Sequence, residues 1–334
     1  MRDLRVSFRT EDGVVRAVRG VDLDLAPGEI LGLVGESGCG KSTLAMALTA
    51  LNRTVNATLE GRVELGGRNL LALDDAGLRA VRGAQVAMIF QDPMTSLTPV
   101  HRVGSLIAEV LRAHEPISRT AAREQAIELL AEVGIPDPRR RADDYPHEFS
   151  GGMRQRVMIA MALACRPAVL VADEPTTALD VTIQAQILRL IRRLRAERRT
   201  AVLLITHDLG VVAQVADRVS VMYAGRLVEE GSAAAVFGSP RHPYTRGLLA
   251  SVPRVDRPRV RSLDAIPGQP PSMAAPDDGC SFRARCPYAE PACAERPELQ
   301  DRGGGAAHPD ACRRSAALIE PRALGAAEGS HGAA

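Results

Sequence analysis

One position in the chain carries a side-chain ammonium. Lys41 is the only lysine among 42 basic side chains, the rest being arginine. It stands in Gly35-Glu36-Ser37-Gly38-Cys39-Gly40-Lys41-Ser42, which has the phosphate-binding spacing G-x-x-x-x-G-K-[ST]. A slim ammonium on a four-carbon stem can curl over a backbone loop and touch two phosphates, whereas a planar guanidinium fork is too wide. Successive backbone N–H groups of such a loop wrap phosphate oxygens, and the helix that follows adds the positive end of its dipole. Ser42 can ligate magnesium, and Thr43 adds another hydroxyl near the phosphates.

Two carboxylates follow an apolar run in Val169-Leu170-Val171-Ala172-Asp173-Glu174. Asp173 suits a magnesium ion, because a hard cation takes oxygen ligands. Glu174 suits a general base acting on water. An acidic pair after a strand is ordinarily a solvated strand end, and the glycine loop upstream gives this pair a role. Ser150-Gly151-Gly152 opens a helical pattern 23 residues before Asp173; small residues at a helix start leave free N–H groups, a second anion site.

These groups need a scaffold that delivers them to one place. Ile30–Val34, Val86–Phe90, Val169–Ala172 and Val202–Ile205 read as buried strands, each followed by polar, chemically loaded residues. Open α/β sheets bind ligands at the carboxyl ends of such parallel strands. Arg5–Phe8, Val21–Leu25 and Arg62–Leu65 alternate and predict half-exposed antiparallel strands. Ser42–Leu51 predicts a helix. Between about residues 93 and 165 the pattern is helical, with Ser118 as a cap and Gly134 as a stop, and a further helix starts at Val181. Beyond Tyr223 the pattern weakens. The expected organisation is a nucleotide-binding domain over 1–240, a carboxyl extension over 241–320 and a disordered tail over 321–334.

Composition narrows the class. With 46% hydrophobic residues and 25% charged, the chain is ordinary globular protein with ample core. A net charge of +2 argues against a dedicated nucleic-acid binder. No apolar run approaches the roughly 20 residues of a membrane span, and the start lacks a secretory hydrophobic stretch, so a cytosolic protein is expected. Disulfides then fit poorly. Cys280, Cys286, Cys293 and Cys312 lie among Pro, Arg and Gly with little apolar material. Four thiolates around a metal would staple a segment too poor in core to hold itself. The short spacings of zinc fingers are absent, and iron–sulfur clusters accept looser sets. Cys39 and Cys165 are expected to take no part.

Taken in order, the motifs resemble the ATP-binding-cassette (ABC) ATPases over at least residues 5–231. Phe149–Gln155 is similar to their signature motif, Gln91 to their Q-loop glutamine, Thr177-Ala178-Leu179-Asp180 to their D-loop and His207 to their switch histidine. Two positions depart: Phe149 and Met153 stand where leucine and glutamine are usual. The resemblance implies a P-loop NTPase cassette with a RecA-like core sheet, an antiparallel β subdomain and a helical subdomain. It implies ATP and Mg²⁺ as ligands, with Ser42 and Asp173 at the metal, Gln91 at the metal or the attacking water, and His207 at the γ-phosphate. It also implies that two cassettes pair head to tail, each ATP lying between one phosphate loop and the other subunit's Ser150-Gly151-Gly152. Asp180, at the end of the D-loop stretch, is counted with the nucleotide-binding residues. Phe8 is the nearest aromatic for stacking on adenine, its other reading being core.

Met88–Leu97, Ala172–Asp180, Arg241-His242-Pro243-Tyr244-Thr245 and Ile266-Pro267-Gly268-Gln269-Pro270-Pro271 resemble one branch, the dipeptide/oligopeptide importer ATPases, and within it the D-type subunit. That implies a second, different ATPase subunit as partner, two membrane permeases contacted through the loop Gln91–Pro99, an external substrate-binding protein acting through the permeases, and a peripheral position on the cytoplasmic face of the membrane. Nickel and other small-solute importers belong to the same branch. ABC ATPases that act on DNA or the ribosome commonly carry two cassettes, zinc inserts or coiled coils, and no such feature is legible here. Gly279-Cys280-x-Phe282-x-x-Arg285-Cys286-Pro287 is similar to that branch's tail, where the cysteines are associated with a [4Fe–4S] cluster.

Overall fold

The computed structural model describes residues 1–92, 96–177, 179–252, 265–274, 279–302 and 307–315. The tail expected over 321–334 lies outside these residues, as do Pro93, Met94 and Thr95 of the loop after Gln91, and Ala178. The strands are β1 (Arg2–Thr10), β2 (Gly13–Val21), β3 (Ile30–Val34), β4 (Ala57–Arg62), β5 (Glu64–Leu65), β6 (Arg68–Asn69), β7 (Val86–Ile89), β8 (Val169–Asp173), β9 (Ala201–Ile205), β10 (Arg218–Tyr223) and β11 (Arg226–Ser232).

β3 is buried along its whole length, which requires cover on both faces. Its neighbours complete a six-stranded sheet in the order β11-β10-β3-β9-β8-β7. Adjacent strands from β10 to β7 are parallel, and β11 returns antiparallel on β10. Alternate residues divide between two cores. Ile30, Leu170, Ala172, Val202 and Leu204 join the helices of the 103–198 region. Leu31, Leu33, Val171, Leu203 and Ile205 join Leu44 and Ala45 of the helix Lys41–Leu48 and the inner residues of the antiparallel sheet β2-β1-β4.

The helical region begins at Val103–His114 and continues through Arg119–Glu132 and Gly151–Leu163. Ser118 caps the second helix, its hydroxyl accepting from the Ala121 N–H at 3.2 Å, and Gly134 takes a positive φ of 78° just past its end. Such a cap and stop are local signals. Two expected strands are corrected. β2 ends at Val21, because the Asp22 carboxylate takes the Asp3 N–H at 2.7 Å in place of a strand carbonyl. Leu23 still reaches the core, so the alternation of 21–25 reports packing without a strand. The expected strand Arg62–Leu65 divides at Val63, whose N–H donates to the Asn69 side chain.

β11 carries Glu229 and Glu230, which mask its apolar pattern. Glu229 is fully buried yet fully partnered: the N–H groups of Arg241 and His242 donate to it at 2.7 and 2.9 Å, and His308 lies 2.7 Å away. Burial raises its carboxyl, but these partners outweigh that and hold it below the ordinary range. His242, wholly buried, is pushed down to about 4 and is neutral.

At Gly32 the helix Leu209–Val215 crosses β3 so closely that an added Cβ would lie 2.4 Å from Val212 Cγ1. Gly32→Ala is expected to destabilise the fold by about 1–3 kcal/mol, read as a lowered midpoint in urea. An unchanged midpoint would mean that this helix does not seat on β3.

Candidate active site

The four strands β3, β9, β8 and β7 end level. Leu33 and Asp173 both pair with Ile205, and Ile89 pairs with Ala172. The residues that follow each strand therefore arrive at one edge: the glycine loop after β3, His207 after β9, Glu174 after β8 and Gln91 after β7.

The glycine loop runs into the helix Lys41–Leu48 with Gly40 as its cap at φ 107°. Only glycine serves there, since a Cβ would also lie 2.2 Å from the Ala17 carbonyl oxygen. Lys41 is 6% exposed, and its ammonium donates to the carbonyls of Gly35 at 2.7 Å and Glu36 at 2.9 Å. The ammonium is thus folded back over Gly35–Gly40, the posture expected of a phosphate loop. Cys39 is buried in the core and its thiol is pushed up by burial. Its carbonyl accepts from the Gly225 N–H at 2.9 Å, tying the loop to the turn after β10.

Glu174 stands at the centre of the polar cluster. Its N–H donates to the Ile205 carbonyl at 2.8 Å and its φ is 49°, a left-handed conformation uncommon away from glycine and concentrated at functional sites. Gln91 Nε2 and the Thr177 hydroxyl each donate to Oε2 at 2.9 Å, and His207 Nδ1 lies 3.0 Å from Oε1. Burial raises this carboxyl, but the hydrogen bonds from His207 and Thr177 overcome it and hold the group ionised to lower pH than an ordinary glutamate. An ionised carboxylate beside an open edge can take a proton from water.

Asp173 is 4% exposed, and its Oδ1 is buried without a hydrogen-bond partner in the protein. Burial pushes its carboxyl up, opposed by a hydrogen bond from Ser42. An orphaned, buried carboxylate oxygen beside a serine hydroxyl is a place where a cation would satisfy what the protein leaves open, so the residues fit magnesium.

Other expected site residues have local duties. Ser150 caps the helix Gly151–Leu163 through the Met153 N–H at 3.4 Å, and Asp180 caps Val181–Arg198 through the Ile183 N–H at 2.9 Å. Neither takes part in the hydrogen bonds around Glu174. Ser150 and Gly151 are exposed. Phe8 lies on β1 opposite Val15 and Ala57, half-buried against the core. Thr177, read from the sequence only as the start of the D-loop stretch, also belongs to the cluster through its bond to Glu174; its position three residues after Glu174 was the available signal.

Cys280, Cys286, Cys293 and Cys312 line one pocket. The expected [4Fe–4S] ligation finds no support in the arrangement of these side chains: among the described residues no group of three or more His, Cys, Asp or Glu is placed to hold a metal ion. Burial raises the thiols of Cys280 and Cys286 and pushes Cys312 up to about 11. Cys39 and Cys165 do not line it.

Strand order, level ends and a glycine loop under a folded-back lysine define a P-loop ATPase of the cassette type. The ABC transporter family model matches residues 18–177, and that of the oligopeptide/dipeptide transporter C-terminal region matches 228–293. The chain is 54% identical over 321 residues to a probable peptide ABC transporter ATP-binding protein of Sinorhizobium fredii, covering 96% of this chain and 95% of that one. It is 52% identical over 288 residues to the dipeptide transport ATP-binding protein DppD of Bacillus subtilis, covering 86% of each. Over 300 residues it is 52% identical to the oligopeptide transport ATP-binding protein OppD of Salmonella typhimurium, covering 90% and 89%. The ATP-binding cassette MJ0796, solved as a dimer bound to ADP and Pi, superposes with a TM-score of 0.63 at 28% identity, over 70% of this chain and 97% of that one. The chain belongs to the ABC transporter ATPases, in the branch that carries the oligopeptide/dipeptide C-terminal region.

The hydrogen bonds that lower the Glu174 carboxyl stabilise the fold above its unfolded-state pKa, and that stability is lost as pH falls through the folded value. Thr177→Val is expected to lower the unfolding free energy by about 1 kcal/mol at neutral pH. The deficit should vanish on the acid side of the ordinary glutamate range, as followed by urea unfolding at stepped pH. A deficit independent of pH would separate Thr177 from the carboxylate.

Proposed function

We propose that this chain is the ATP-hydrolysing subunit of an importer of dipeptides or oligopeptides. The observation that carries the reading is the gathering of Lys41, Asp173, Glu174, Gln91 and His207 at one sheet edge, in a chain whose relatives are named for peptide transport. Gly35–Thr43 cradles the phosphates, with the Lys41 ammonium moving from its two carbonyls to phosphate oxygens. Glu174 accepts a proton from the water that attacks the γ-phosphorus, while Gln91 and His207 hold the carboxylate and the γ-phosphate in register. Magnesium, when bound, neutralises phosphate charge, and Ser42, Asp173 and Gln91 would hold it. Phe8 is the aromatic offered to adenine.

Ser150, Gly151 and Gly152 complete the site of a second cassette, and Asp180 lies at the same junction. We infer a heterodimer with a second ABC ATPase, bound beneath two permeases that an external substrate-binding protein supplies. Among the described residues no helix is long and apolar enough to cross a membrane, which suits a peripheral subunit on the cytoplasmic face. The loop Gln91–Pro99 is the proposed permease contact. Residues 1–240 form the nucleotide-binding domain in this reading, and 241–320 the extension.

In the assembled transporter, Lys41→Ala is expected to weaken nucleotide binding and abolish turnover. Glu174→Gln should keep nucleotide binding and lose about 10²–10⁴ in rate, as expected for a lost general base. Near wild-type turnover by Glu174→Gln would overturn the assignment.

The second reading concerns the tail, where four cysteines line one pocket. Thiols are the donor type of a [4Fe–4S] cluster, and ligation would require these side chains to move from their present placement, in which no three are set to hold a metal ion among the described residues. Such a cluster would staple a segment with little core of its own. Anaerobic purification is expected to yield about four iron and four sulfide per chain with a visible absorption band. One zinc without iron would replace the cluster with another metal, and no metal would reject both.

A further inference from the structure

Glu36 is the one carboxylate in the glycine loop, the segment read here as receiving the polyphosphate of ATP. A free carboxylate there would oppose the incoming charge. Instead, Arg285 reaches it from the carboxyl extension. Nη1 and Nη2 donate to the two carboxylate oxygens at 2.6 and 2.9 Å, across 249 positions of sequence. This is a fork-on-carboxylate pair, the geometry that lysine cannot reproduce.

Arg285 has its own mounting. Its side chain is 4% exposed. Nε donates to the Pro267 carbonyl at 2.9 Å, and Nη1 lies 3.4 Å from the Tyr223 hydroxyl. The guanidinium carbon stands 5.9 Å from the ring centres of both Tyr223 and Phe282. The backbone of Glu36 is held by the same structure: its N–H donates to the Tyr244 hydroxyl at 2.8 Å. Tyr244 is itself fully buried, 4.5 Å from the Tyr223 ring and 5.5 Å from that of Phe282. That N–H points at Tyr244, so the extension decides which amides of the loop remain for phosphate.

We infer that Arg285 is a positioning residue for ATP: by neutralising Glu36, with Tyr244 fixing the backbone beside it, the carboxyl extension sets the nucleotide affinity of the phosphate loop. The inference rests on the reading of Gly35–Thr43 as the ATP site.

The experiment measures Mg-ATP affinity of the purified full chain with a fluorescent ATP analogue, and KM and kcat in the assembled transporter. Arg285→Ala is expected to weaken binding and raise KM by about tenfold, the scale of one lost charge-assisted pair, with kcat at saturating ATP little changed. Adding Glu36→Gln to Arg285→Ala should recover most of that affinity, because a neutral amide no longer opposes phosphate. Because Glu36→Gln also relieves an unpaired carboxylate in the fold, the urea-unfolding midpoint of each variant is measured alongside. Affinity lost by Arg285→Ala in a chain that is folded at the assay conditions is the result expected. Arg285→Lys, which keeps the charge and loses the fork, should fall between wild type and Arg285→Ala, and it carries the test with Glu36→Gln should Arg285→Ala not fold. Unchanged affinity in Arg285→Ala, or a defect that Glu36→Gln leaves in place, overturns the inference. Normal ATP affinity in Lys41→Ala would instead show that the loop is not the ATP site, a separate failure.

Discussion

The hydrogen bond from the Glu174 N–H to the Ile205 carbonyl, 2.8 Å long, is the rung on which the site depends. It is made just beyond the last pairing of β8 with β9, and it turns the chain into a left-handed conformation at Glu174. That turn points one carboxylate toward Gln91 from β7 and His207 from β9. Asp173, one residue earlier, stays in the strand with an unpartnered oxygen facing inward. Two adjacent carboxylates acquire two environments because the strand ends between them.

Everything else serves to keep that edge level. β3 must lie beside β9 with both faces dry, so a helical layer covers one side and an antiparallel sheet the other. The phosphate loop then rests on three supports. The Ala17 carbonyl forces glycine at position 40, the turn after β10 holds Cys39, and the extension holds Glu36. A loop that must place several N–H groups within fractions of an ångström has little freedom of its own. Its rigidity is imported from three directions.

Much of this was legible in the residues. Strands buried on both faces leave unbroken apolar runs, and each run here is followed by the group it delivers. The Ser118 cap and the Gly134 stop are local and so survive in the pattern. What escaped was long-range. Nothing near Arg285 announces Glu36, and nothing near Glu229 announces His308. A glutamate in β11 reads as a solvent position until its partners are known. The stretch after Val21 misled because alternation records which side chains are buried, and an irregular segment can bury Leu23 as well as a strand can. The cysteine quartet was legible as a group drawn to one pocket; its ligation was not, since spacing alone does not place four sulfurs around an ion.

The return of the chain to β11 has a consequence for the order of assembly. Glu230 and Ala311 share backbone hydrogen bonds with Pro309 and Val228, and His308 meets Glu229 across 79 positions. The segment 307–315 therefore closes the free side of β11, an edge that would otherwise invite another strand. Its counterpart exists only after β10 and β11 have paired. During synthesis β10 and β11 emerge before residues 307–315, which must reach back to the sheet to make these bonds. A covered β11 edge is thus the mark of a chain whose distant carboxyl-terminal residues have docked.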